Sequence, residues 1–271
     1  AFVGCAEKEE TLSSEQIDQI ITEAVDALAE AETYKFDTDM SITMDVIGGT
    51  EPGRMSMGAD GTGAIDSVNR EMQMAMNMTM NVPGQSEQEM GMEIYIVGEW
   101  VYVKMSVPLM GEQWMKTKLT PEMWEMQKQV DQQIELLKTA TEVKLVGSEL
   151  VDGTDCYVFD IMPDVEKLAE FLAQQQGMQG MDLEDIENLE ELFEKTSMSI
   201  REWIAKDSSL LMRAQADMLM EVTPEDVELT LEDFDRMTMD FSIDMTIRDY
   251  NQPISIELPP EALQAPEIPV M

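Results

Sequence analysis

Between residues 35 and 46 apolar and polar side chains alternate with a single break, at Thr38. Phe36, Thr38, Met40, Ile42, Met44 and Val46 fall on one parity, and Lys35, Asp37, Asp39, Ser41, Thr43 and Asp45 on the other. Period two is the signature of a half-buried strand. The same rhythm returns at residues 71–80, where Met72, Met74, Met76, Met78 and Met80 occupy every even position, and at Met90, Met92 and Ile94. Its cleanest occurrence is 236–249, with Met237, Met239, Phe241, Ile243, Met245 and Ile247 opposite Arg236, Thr238, Asp240, Ser242, Asp244, Thr246 and Arg248. Successive Cβ atoms point to opposite faces of a sheet, so these residues are expected to share one oily side.

Helical spacing appears first at residues 13–31, where Ile17, Ile20, Ile21, Ala24, Val25 and Leu28 make one stripe behind a Ser13 or Ser14 cap. Thr120-Pro121 opens a second predicted helix, to about Lys138, because proline suits the first helical turn. Pro163-Asp164 opens a third, ending near Gly177, and residues 182–194 read as an acidic fourth. The glycine-containing stretch 174–180 is the candidate mobile lid. Turns are expected at Gly48-Gly49, Pro52-Gly53 and Gly98-Glu99. Residues 100–105 and 114–118 continue the strands. Residues 142–150 and 154–161 form a hairpin about Val151-Asp152-Gly153, and 198–204 and 210–222 are closing strands that put Met218 on the apolar parity.

These elements predict an α+β fold. One strongly curved antiparallel sheet, a half-barrel, carries helices on its concave apolar face. The expected organisation is a leader remnant and tether at 1–12, one domain at 13–263, and a proline-rich tail at 264–271. No fixed-period repeat is evident.

Charge narrows the function. With 56 acidic and 17 basic residues the formal charge is -39, which repels nucleic-acid backbones and anionic bilayers. Nucleic acid is therefore not an expected partner. The absence of histidine rules out histidine-based triads and histidine-ligated zinc. No pair of carboxylates stands out for glycosidase chemistry, so catalysis and cofactors are not expected.

The opening Ala1-Phe2-Val3-Gly4-Cys5, followed by Ala6-Glu7-Lys8-Glu9-Glu10, is similar to the end of a bacterial lipoprotein signal peptide and its tether, with Phe2 where leucine is commonest. Cys5 is then the lipidation site. The protein would be extracytoplasmic, attached to the membrane through that lipid. The second cysteine, Cys156, would lack a disulfide partner and sit as a buried, inert thiol in a strand. No run reaches the ~18 apolar residues of a membrane-spanning helix.

Several phrases fall in a suggestive order: Val101-Tyr102-Val103-Lys104 and Trp114-Met115-Lys116, then Lys144-Leu145-Val146-Gly147-Ser148-Glu149 through Gly153 to Cys156-Tyr157-Val158, then Trp203-Ile204-Ala205-Lys206-Asp207, and Asp249-Tyr250-Asn251-Gln252-Pro253 before Pro259-Pro260-Glu261-Ala262. In this order the chain resembles the LolA-like lipoproteins of the LppX and LprG type. The resemblance implies a half-barrel sheet around helices and an apolar cavity, a carrier of lipids or lipoproteins, and no catalytic residues.

The chain departs from that family in its 27 methionines. Three roles suit them. They can be ordinary core. They can line a deformable surface for an apolar ligand such as an acyl chain. Or, as Met-x-Met pairs, they can offer thioethers to Cu(I), provided adjacent strands supply ligands together. The candidate ligand face is Met40, Ile42, Met44, Met72, Met74, Met76, Met78, Met80, Met90, Met92, Ile94, Met218, Met237, Met239, Phe241, Ile243 and Met245. The rival to a carrier is a structural or interaction lipoprotein with a filled core. Trp100, Trp114, Trp124 and Trp203 suit either a pocket mouth or plain packing.

Overall fold

A computed structural model describes residues 12–48, 53–108, 111–121, 123–124, 140–163, 196–224 and 235–268. Its described strands form a single curved, unclosed antiparallel sheet of 11 strands. In chain order these are β1 (Thr33–Ile47), β2 (Gly53–Asp66), β3 (Glu71–Asn81), β4 (Gln88–Val97), β5 (Trp100–Val107), β6 (Gly111–Lys118), β7 (Ala140–Val151), β8 (Thr154–Pro163), β9 (Ser197–Ala205), β10 (Leu211–Val222) and β11 (Arg236–Arg248). The spatial order runs β6-β5-β4-β3-β2-β1-β11-β10-β9-β8-β7, so the first and last strands meet in the middle. The two cleanest alternations in the sequence are thus hydrogen-bonded to each other.

Tight turns fix the register of the hairpins. At the β7–β8 turn Asp152 and Gly153 have φ of 48° and 86°, the paired left-handed residues of a turn whose twist matches that of its strands. β7 carries register shifts at Ala140/Glu142 and Leu145/Gly147 and β10 one at Leu211/Arg213, and such bulges add local twist and bend.

Helix α1 (Ser14–Ala29) begins with a complete capping box. The Gln16 backbone N–H donates to Ser13 Oγ at 3.3 Å, and the Ser13 N–H donates to Gln16 Oε1 at 2.9 Å. Its Ala24 and Leu28 are buried in one cluster with Phe36, Ile65, Met72, Met74, Ile96, Phe159, Ile204, Leu211, Ala214, Met245 and Ile247. The helix therefore packs on the apolar face, toward one end of the strands. At the β9–β10 turn the Ser209 hydroxyl donates to Glu23 of α1 at 3.3 Å.

The predicted second helix starts as expected: the Met123 N–H donates to Thr120 Oγ1 at 3.2 Å, and the Trp124 N–H to the Thr120 carbonyl at 3.1 Å. The rest of that helix, the predicted helices after Pro163 and at 182–194, and the stretch 174–180 lie outside the described residues. Residues 260–268 lie along the sheet. A 3-10 turn at Pro260–Gln264 precedes a bridge along β6, in which the Lys116 N–H donates to Pro266 O and the Ile268 N–H to Lys116 O. Among the described residues no helix is long and apolar enough to cross a membrane.

Candidate ligand-binding face

Residues paired directly across antiparallel strands project to the same side of the sheet, so register decides which side chains meet. Across the centre, Met40, Ile42 and Met44 stand opposite Ile243, Phe241 and Met239, while Met245 and Met237 oppose Thr38 and Val46. Phe241 opposes Met218 on β10. On the other flank Met40 and Ile42 oppose Ala59 and Met57, which oppose Met78 and Met80. Met72, Met74 and Met76 oppose Ile65, Gly63 and Gly61, and Met78, Met76 and Met74 oppose Met90, Met92 and Ile94. Every residue of the sequence-derived face therefore lies on one side of one sheet.

Burial is uneven along that side. Met72, Met74 and Met245 are buried beneath α1, whereas the other candidates are half-buried. At the opposite end of the strands Met220 and Val222 form a separate small cluster with Met218, Met237 and Met239. Between the two clusters lie Met40, Ile42, Met44, Met78, Met80, Met90, Phe241 and Ile243. Unbranched thioether side chains make this field apolar and conformationally adaptable. Met55, Met57, Met105 and Met198, which the Met-x-Met or strand pattern contained but the candidate face left out, join it by register.

One residue that pattern reading missed interrupts the apolar side. Glu202 stands opposite Ala214 on β10 and Phe159 on β8, on the parity of Met198, Ile200 and Ile204. It is wholly buried, and neither carboxyl oxygen has a hydrogen-bond partner among the described residues. Burial pushes its carboxyl up to about 8, so at neutral pH it is largely the protonated acid. The signal was present in the sequence as an acidic side chain on the apolar parity of a strand.

The opposite side of the sheet is polar and holds the charge pairs. Arg248 spans β11 to Asp37 on β1, with Nε to Oδ2 at 2.8 Å, and Arg213 pairs with Asp244. The Arg213 guanidinium lies 4.5 Å from the Trp203 ring centroid. Hydrogen bonding to Asp244 is the first cause holding its ionisation above the usual guanidinium range. Lys104 bridges Glu93 and Glu112 at 3.1 and 3.0 Å. Two open troughs of about 690 and 730 Å³ lie on this polar side, the first floored by Asp37, Asp60 and Asp244, the second by Asn77, Glu93 and Lys104.

The tryptophans divide between both sides as packing. Trp124 belongs to the α1 cluster and Trp203 to a polar-side cluster with Cys156 and Val158. Trp100 and Trp114 pack with Tyr95 and Tyr102 beneath the C-terminal Ala262 and Ala265. Cys156 is buried as expected, and burial raises its thiol to about 11. Cys5 lies outside the described residues. No cluster of three or more acidic or cysteine side chains suited to a metal ion occurs among the described residues.

The chain is similar in structure to lipoprotein LppX of Mycobacterium tuberculosis, at 15% identity and a TM-score of 0.42, covering 90% of this chain and 100% of that one. It is similar to LprF of Mycobacterium bovis at 13% identity and a TM-score of 0.46, covering 91% and 98%. A DUF1329 family protein of Desulfovibrio piger aligns at 13% identity with a TM-score of 0.26, covering 88% and 95%. No curated protein matches the chain. Over residues 16–267 the chain belongs to DUF6612, a family of unknown function.

Proposed function

We propose that this protein is a lipid-anchored, extracytoplasmic carrier that holds an apolar ligand, a lipid or acyl chain, against its methionine face without catalysing a reaction. One observation carries the reading. A continuous apolar field runs across β4, β3, β2, β1, β11 and β10 and is only half-buried at its centre. Large apolar patches that stay partly exposed mark binding surfaces, and methionine suits ligands of irregular outline. Attachment through a lipid on Cys5 would keep such a carrier beside its source of cargo.

Native mass spectrometry with lipid extraction, on protein purified from its own membranes, tests the proposal. A co-purifying lipid mass, released on denaturation, is the expected result. A protein that carries no lipid and takes up none from vesicles would overturn it.

A second reading rests on a specific row. Met55, Met44, Met239 and Met220 stand side by side on four adjacent strands, which is the cross-strand supply of thioethers that a Cu(I) site requires. Titration with Cu(I) under reducing conditions separates the two readings. Stoichiometric uptake lost in a M44L/M239L variant supports the metal site, and no uptake removes it.

A further inference from the structure

We infer that Glu202 is a ligand-contacting residue whose carboxyl group takes the ester carbonyl of an acyl lipid lying along the methionine face. The inference rests on the carrier reading and names the chemical class of the cargo.

A carboxyl group buried without a hydrogen bond is costly, and native folds retain few of them. Glu202 is such a group: it has no exposure, and both oxygens lack a partner among the described residues. Its position is not peripheral. In register it belongs to the row Phe159, Glu202, Ala214, Met245, within the cluster that α1 covers. The neighbouring row toward the open methionine field is Ile200, Ala216, Ile243. Ala214 and Ala216 offer only methyl groups, so the wall is low on the side from which an apolar chain would arrive.

Tyr250, a titratable side chain close enough to feel Glu202, does not satisfy the acid. Its hydroxyl donates to the Leu211 carbonyl at 2.6 Å. Its ionisation is held well above the usual phenol range by burial first, then by the nearby Tyr34 and Glu202. The Glu202 side chain is thus an acid in apolar surroundings, with an O–H to donate. A neutral carbonyl is the complementary acceptor. A phosphate or free carboxylate is disfavoured, because it would bring a further negative charge into an apolar part of a chain of formal charge -39. An acyl ester supplies the acceptor and the apolar bulk together.

The test uses the full chain and two matched lipids, dioleoylglycerol and its dialkyl ether analogue, which lacks the carbonyls. Each displaces Nile red bound to wild type, E202M and E202Q. Methionine matches the length and the apolar neighbours of Glu202, so E202M should fold at least as stably as wild type. The expected result is that the ester displaces the dye about tenfold better than the ether in wild type, one hydrogen bond in a dry site being worth about that factor. The preference should vanish in E202M and persist in E202Q, whose amide still donates. Equal displacement by both lipids in wild type, or an ester preference unchanged in E202M, overturns the role of Glu202 and leaves the carrier reading standing. Failure of wild type to bind the dye or either lipid overturns both.

Discussion

Phe36 on β1 lays its ring over Gly63, its direct partner on β2, so closely that a Cβ at residue 63 would stand 2.2 Å from the ring's Cζ. The glycine gives up a side chain so that a buried aromatic can lie flat beneath α1. A Gly63→Ala substitution must displace Phe36 from the core, and overpacking of this kind costs about 1–3 kcal/mol. At Gly58, on the same strand but the polar side, an added Cβ meets nothing within 4 Å, so Gly58→Ala should be neutral or slightly stabilising. Urea denaturation of the two variants checks the pair. Equal stabilities would mean that the Phe36 ring is free to move.

β2 also marks where the fold was hardest to read. Its Met55-Ser56-Met57 start alternates, but Gly58, Gly61 and Gly63 erase the pattern over the rest of its length. Their partners restore it, since Met76 and Thr38 flank Gly61, and Phe36 and Met74 flank Gly63. Information about that strand therefore resides in its neighbours. By contrast β1, β3 and β11 were legible because their alternation is nearly complete, with Thr38 and Ala75 as its exceptions, and the capping box of α1 was legible because it is local. Strand order was not: that β1 joins β11 is a long-range choice that no window of sequence contains. Among the site residues, register alone placed Met55, Met57, Met105 and Met198 beside the expected set. Glu202 was overlooked because attention to apolar parity passes over an acidic residue that violates it.

The burial of Glu202 predicts a pH dependence of stability. Its carboxyl lies at about 8 in the folded chain against an ordinary value of 4.5. Below 4.5 both folded and unfolded chains hold the proton, and the neutral acid imposes no charge penalty. As pH rises the unfolded chain loses the proton first, so folding is progressively disfavoured until the folded form ionises near 8. The slope is about 1.4 kcal/mol per pH unit in that window. The other carboxylates titrate as well, so the measurement is the difference between wild type and E202Q. Denaturation from pH 5 to 8 should show wild type losing stability faster than E202Q. Parallel curves would mean that Glu202 is solvated or paired in solution.

Salt should act in the opposite sense to its usual effect on a protein held by ion pairs. The pairs on the polar side are partly exposed, Lys35 and Asp249 at 40% and 43% for example, and such pairs contribute little. Against them stands the self-repulsion of a chain with 56 acidic and 17 basic residues. Raising sodium chloride from about 10 mM to about 0.5 M shortens the screening length from roughly 30 Å to under 8 Å. Repulsion spread over the surface is screened more than contacts at 3 Å, so Tm is expected to rise by several degrees. A flat or falling Tm would show that the paired charges outweigh the unpaired ones.

The methionine face predicts a separation of stability from binding along a single strand. Met74 is 6% exposed and lies under α1, while Met78, two pairs further along β3 and opposite Met90, is half-buried in the central field. Replacing Met74 by glutamine buries an amide without a designed partner and should cost about 2–4 kcal/mol. The same change at Met78 and Met90 leaves the amides within reach of water and should cost well under that. Binding should follow the reverse order if cargo lies across the centre. Nile red affinity is expected to fall several-fold in M78Q/M90Q and to change little in M74Q once both are measured well below their melting temperatures. If the buried variant loses affinity and the central one keeps it, the ligand lies under α1, and the central methionines are merely wall.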